Sequence, residues 1–158
     1  MKLRDPQRGL FESEGAAIVA LRWCDGAAID YLGNAIRLKL DTDRRQAIRE
    51  GSVLHLPLPP DATERQIQDA AESWLRREAE ALFSRLIANE IESRAAHPER
   101  RMPTVTLSFS LRGSWTKIDD HTLRLNWRLI EQPLSVIELA LRRAVNLLPA
   151  EPATADLF

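Results

Sequence analysis

The stretch TLRLNWRLIEQPLSVIELALRRAVNLL (residues 122–148) changes its hydrophobic period partway along. Leu123 and Leu125 alternate with Arg124, the two-residue period of a half-buried strand, so Thr122 to Leu129 reads as a strand that Pro133 closes. Beyond Pro133, the residues Val136, Ile137, Ala140, Leu141, Ala144, Val145 and Leu148 recur at helical spacing and predict a helix from Val136 to Leu148. Ser135 and Glu138 stand at capping-box spacing at its start, and Pro149 and Pro152 stop it.

Working outward, Thr104 to Leu111 reads as another strand, with Val105, Leu107 and Phe109 on one face. Gly113 breaks it and Asp119-Asp120 makes a turn. A long helix is predicted from Asp61 to about Ala95. Its apolar positions are Ile67, Ala71, Trp74, Leu75, Ala79, Leu82, Phe83, Leu86, Ile87 and Ile91. Asp61 with Glu64 fits a capping box, and His97-Pro98 ends the helix. Earlier in the chain, short strands are predicted at Ile18 to Trp23, Ile29 to Leu32, Ala35 to Leu40 and Val53 to Leu58. Turns fall at Cys24-Asp25-Gly26 and Gly33-Asn34. Asp41 to Glu50 reads as a loop, and Pro57 argues that its strand lies at a sheet edge. Strands, helix, strands, helix is an α+β order. The expected architecture is a twisted antiparallel sheet with a long helix packed on it and a short helix beside that.

The 158 residues are 44% hydrophobic and 28% charged, which suits one globular domain with a real core. The expected division is a flexible arm over residues 1–15, one domain over 16–148 and a loose tail over 149–158. The net charge of −1 gives no overall pull toward nucleic acid, which makes it an unfavoured partner. Cys24 is the only cysteine, so zinc sites built from several thiolates and an internal disulfide are excluded. No apolar run reaches the roughly 20 residues of a membrane span, and residues 1–15 lack the apolar core of a signal peptide. A cytoplasmic setting with no membrane partner is therefore expected.

Four segments resemble one known family. Trp74-Leu75-Arg76-Arg77-Glu78-Ala79 matches the "WxRxxA" helix of YgjP-like zinc metallopeptidase domains, relatives of the SprT-like proteases. Leu125-Asn126-Trp127-Arg128-Leu129-Ile130, followed by Pro133 and Val136-Ile137, is similar to that family's "LNWRLI…P…VI" stretch. Tyr31-Leu32-Gly33 and Leu54-His55-Leu56-Pro57 resemble its hairpin and "LxLP" strand. The resemblance spans about residues 28 to 148. It implies that the last helix corresponds to a zincin-like helix bearing HExxH, in which two histidines four apart hold zinc and the glutamate acts as general base.

At the matching positions this chain has Arg143, Ala144, Val145, Asn146 and Leu147. Arg143 replaces the first ligand, Ala144 the base and Leu147 the second ligand. The third ligand would fall near Ala153, and no histidine follows His121. A guanidinium has no lone pair to give. About 4 Å from a dication it would be repelled by roughly 8 kcal/mol at an effective dielectric near 20. The family's "WGSC" element is also altered, with Arg112 and Trp115 flanking Gly113-Ser114. The resemblance therefore implies a degenerate member with no catalytic residues, no metal and no cofactor. Such a domain would be a pseudo-metallopeptidase that acts by binding a protein partner.

Two alternatives remain open in the sequence. One is a divergent metal-dependent hydrolase with non-standard ligands such as His121, Glu131 or Glu138. The other is a nucleic-acid-associated module, by analogy with SprT-like relatives. Arg112, Arg142 and Arg143, with Arg100 and Arg101, are the candidate binding surface, suited to an acidic or phosphate-bearing partner. Ser114 reads as a turn serine rather than a nucleophile, Cys24 shows no sign of activation, and His55, His97 and His121 lack ligand spacing.

Overall fold

The computed structural model describes residues 23–93, 102–109 and 114–149; the strand expected at Ile18 to Trp23 falls almost wholly outside them. The elements are β1 (Ala28–Tyr31), β2 (Asn34–Leu40), β3 (Ile48–Glu50), β4 (Val53–Leu56), α1 (Glu64–Glu92), β5 (Thr104–Ser108), β6 (Thr116–Asp119), β7 (Thr122–Asn126), a 3-10 turn (Trp127–Glu131) and α2 (Leu134–Leu147). The α+β class holds. The single antiparallel sheet does not: there are two mixed sheets, ordered β1-β2-β4-β3 and β5-β7-β6. Each contains a parallel pair, β2 with β4 and β5 with β7. Alternation along a strand reports which face is buried. It carries no information about which strand lies alongside, or in which direction.

Two compact units divide the described residues, one of 23–29 and 35–73, the other of 30–34, 74–93, 102–109 and 114–149. In the first, Ile36 and Leu38 of β2 are buried while Arg37 and Lys39 between them are exposed, as their alternation predicts. β4 lies between β2 and β3 and buries Leu54, His55 and Leu56. The edge position inferred from Pro57 is thus a misreading, because the strand stops one residue earlier and Pro57 interrupts no ladder bond. β3 lies within the stretch read as a loop and pairs antiparallel with β4, three residues being too few to show a period. α1 starts from a capping box made by Thr63 and Gln66 rather than Asp61 and Glu64. The Thr63 N–H donates to Gln66 Oε1 at 2.9 Å and the Gln66 N–H to Thr63 Oγ1 at 3.2 Å.

Just past β2, Asp41 gathers a small charged cluster. Its Oδ1 accepts from the Asp43 N–H at 3.1 Å, which holds the carboxyl below its usual range; burial opposes this, and Arg44, with Nε 3.4 Å from Oδ2, adds to the lowering. Arg44 also pairs with Glu50 of β3. His55 Nδ1 sits 3.4 Å from Asp41 Oδ2 but is too poorly aimed for a hydrogen bond.

In the second unit, Val105 and Leu107 of β5 stand beside Leu123 and Leu125 of β7, and β6 returns antiparallel on the other side of β7. The β6–β7 turn holds Asp120 at a φ of 58°, which an aspartate tolerates. Phe109 does not share the buried face expected for it: β5 ends at Ser108 and Phe109 is 62% exposed. The core of this unit includes Trp74, Leu75, Phe83 and Ile87 of α1 and Ile137 and Leu141 of α2, with Leu129 and Ile130 of the 3-10 turn.

The tight turn after β1 is held in the same unit. Leu32 and Gly33 both have positive φ, 50° and 79°, the pair of values a two-residue hairpin turn needs. The Leu32 N–H donates to the Ile130 carbonyl at 2.8 Å and the Gly33 N–H to that of Glu131 at 3.0 Å. A side chain on Gly33 would also stand 2.9 Å from Pro133 Cγ.

Gly26 gives a control for this position, since it has φ 83° and nothing within 4 Å of an added Cβ. Gly26→Ala should cost about 1 kcal/mol from backbone strain alone. Gly33→Ala adds overpacking and should cost about 2–4 kcal/mol, read from urea denaturation. For Asp41, a lowered folded pKa means a stabilising contribution that is present above roughly pH 4 and lost as pH falls through the folded value. Asp41→Asn should therefore narrow the drop in urea midpoint between pH 6 and pH 2 relative to the parent chain.

Candidate functional site

α2, the helix that the resemblance aligns with HExxH, is set up by the 3-10 turn before it. Asn126 caps that turn, its side-chain oxygen accepting from the Arg128 N–H at 3.0 Å, and the Gln132 N–H closes it on the Leu129 carbonyl at 3.1 Å. Pro133, at φ −54°, then opens α2 at Leu134 with no side-chain cap. The Ser135–Glu138 capping box is not formed, because Ser135 already lies inside the helix and proline's fixed φ supplies the entry. Ile137, Leu141, Ala144 and Val145 recur at helical spacing and are all buried, which is why this segment is a helix. The helix lies against β6 and ends at Leu148, whose N–H reaches the Val145 carbonyl.

The positions matched to the metal signature separate onto two faces. Ala144 is fully buried, whereas Arg143 is exposed and Leu147 is 72% exposed. Arg143 and Leu147, four apart, share the outward side of the helix, where two histidines would share an ion. A guanidinium and an alkyl chain offer no lone pair, and Ala144 has no carboxylate to act as a base. The donor set does not fit zinc.

The arginine surface is met in part. Arg142 is exposed and its Nε lies 3.2 Å from Glu90 Oε1 of α1, so that charge already has a partner. Arg112, Arg100, Arg101 and Ala153 lie outside the described residues. Sequence reasoning also missed a feature of the outward face. The helical period places Val136 on the packed side of the helix, yet it is 40% exposed, and Leu139 and Leu147 are exposed as well. The signal was present: Leu139 and Leu147 fall off the Ile137–Leu141–Ala144–Val145 line.

Three of the family-like segments converge within this unit. The Tyr31 ring lies 5.0 Å from that of Trp74, tilted by 51°, and its hydroxyl donates to Glu78 Oε1 at 3.4 Å. The Arg76 guanidinium stands 5.7 Å from the Trp127 ring and 5.6 Å from that of Phe109, and the Arg128 guanidinium lies 4.6 Å from Trp127. Residues of "YLG", "WxRxxA" and "LNWRLI" thus form one packed joint that holds the entry to α2.

The remaining candidates stay separate. His55 is buried in β4, His121 lies in the β6–β7 turn, and His97 is outside the described residues. Among the described residues, no group of three or more histidine, cysteine, aspartate or glutamate side chains is arranged to hold a metal ion, so His121, Glu131 and Glu138 do not form such a group. The Ser114 hydroxyl donates to the Thr116 carbonyl at 2.8 Å, the role of a turn serine. Cys24 is half-buried in the turn before β1. None of the helices among the described residues is long and apolar enough to cross a membrane.

Comparison with known proteins places the scaffold. No curated protein and no solved structure matches the chain. A family model described as "YgjP-like, metallopeptidase domain" matches residues 7–140. That span takes in the joint and the first half of α2 and stops three residues before Arg143. With most of its length matched, the chain belongs to the YgjP-like metallopeptidase domain family.

Proposed function

We propose that this YgjP-like domain is a pseudo-metallopeptidase, a domain that acts by binding a protein rather than by zinc-dependent hydrolysis. The observation that carries the reading is the outward line of α2. The residues at the two ligand positions are exposed and correctly spaced, yet they are Arg143 and Leu147. The scaffold that would present a metal site persists, while the side chains at the site cannot coordinate. A protein partner is favoured because Val136, Leu139 and Leu147 expose apolar side chains on the same helix.

Zinc content and proteolysis of the purified full chain test the reading. The expected result is no zinc retained through gel filtration from zinc-supplemented buffer, and no chelator-sensitive cleavage of casein. One zinc per chain, or cleavage stopped by phenanthroline, would overturn it. The double substitution Arg143→His with Leu147→His separates lost ligands from lost geometry. It should confer zinc-dependent stabilisation of about 1.4 kcal/mol at zinc tenfold above its dissociation constant, seen as a rise in Tm that the parent chain lacks.

A further inference from the structure

We propose that the outward face of α2, made by Val136, Leu139, Ala140, Arg143 and Leu147, docks an amphipathic helix of a partner protein that carries a carboxylate among its apolar residues. The proposal rests on the non-catalytic reading above and names the site and the partner class. Val136, Ala140, Arg143 and Leu147 follow helical spacing along one side with Leu139 beside them; Ala140 is half-buried and the other four are exposed, while Ile137, Leu141, Ala144 and Val145 are buried. The line runs for about 16 Å, three turns of helix, the length over which a docked helix places anchors at i, i+4, i+7 and i+11. Three large aliphatic side chains in such a row on one helix mark an interaction face rather than scattered surface residues.

Charge decides the occupant. Arg143 sits within the apolar line and makes no ion pair among the described residues, whereas its neighbour Arg142 is already held by Glu90. A purely apolar partner would cover Arg143 without a counter-charge. A second copy of this helix would do worse. Paired antiparallel about the middle of the line, the two Arg143 residues would lie within about 5 Å of each other along the axis, and paired parallel they would be in register. A partner helix with an aspartate or glutamate opposite Arg143 covers the leucines and neutralises the guanidinium together.

The test uses the full chain and two synthetic helical peptides. Both carry four leucines at i, i+4, i+7 and i+11; one has glutamates flanking the central leucines and the other has lysines there. The glutamate peptide should bind saturably in a fluorescence-anisotropy titration, at least tenfold more tightly than its lysine twin. Arg143→Glu should reverse that preference. Leu139→Glu and Leu147→Glu should each weaken binding at least tenfold with the far-UV circular dichroism unchanged, while Arg77→Glu on exposed α1 surface leaves it intact.

Absence of saturable binding, equal affinity for the twins, or indifference to Leu147→Glu would overturn the proposal. A concentration-dependent dimer in sedimentation that Leu139→Glu abolishes would assign the face to a second copy instead. Peptide binding that needs residues 150–158 removed would assign it to the chain's own terminus. Failure here is distinct from failure of the non-catalytic reading. A zinc-free chain that binds neither peptide ends the docking proposal alone, and a chain that retains stoichiometric zinc ends both.

Discussion

Two backbone hydrogen bonds, from Leu32 to Ile130 and from Gly33 to Glu131, carry much of the geometry of the larger unit. They tie a tight turn near the start of the chain to the 3-10 turn that leads into α2. Both donors lie in left-handed backbone, and a leucine adopts that conformation only where its surroundings repay the strain. Pro133 packs against the bare face of Gly33, so the path of the chain into α2 has little freedom. Tyr31 stacked on Trp74 and Arg76 beside Trp127 extend the same joint into α1.

The joint holds α2 in place independently of the residues at positions 143 and 147. α2 is held from within by Ile137, Leu141, Ala144 and Val145, and at its entry by the proline and the 3-10 turn. None of those interactions involves position 143 or 147, which face solvent. Their identities are therefore nearly free of folding constraint, since surface substitutions away from special features change stability little. Arginine and leucine therefore stand at these two positions at little cost to the helix.

The arginines divide by environment in a way composition cannot express. Arg44 bridges Asp41 and Glu50, Arg76 and Arg128 lie over aromatic rings, and Arg142 is paired with Glu90, while Arg143 stands in an apolar row. A planar, permanently charged group suits the ring-stacked and paired positions. The same group among aliphatic side chains asks for a counter-charge from outside the chain, and this sets Arg143 apart from the other four.

Much of the local structure was legible in the sequence. The two long apolar periods located both helices, the alternation in β2 identified its buried face, and the kinship carried by Tyr31, Trp74 and Leu125 to Ile130 agrees with the family match. Identity alone also showed that Arg143, Ala144 and Leu147 cannot bind or activate a zinc-bound water, because that depends on which atoms carry lone pairs. Tertiary structure decided the rest. It set β4 in the middle of its sheet, made the strand pairs partly parallel, moved the helix caps to Thr63 and Pro133, and turned Val136, Leu139 and Leu147 outward. These outcomes share one cause: a residue's own period and chemistry describe its local preference, whereas strand order, burial and exposure are set by neighbours that are distant in the chain.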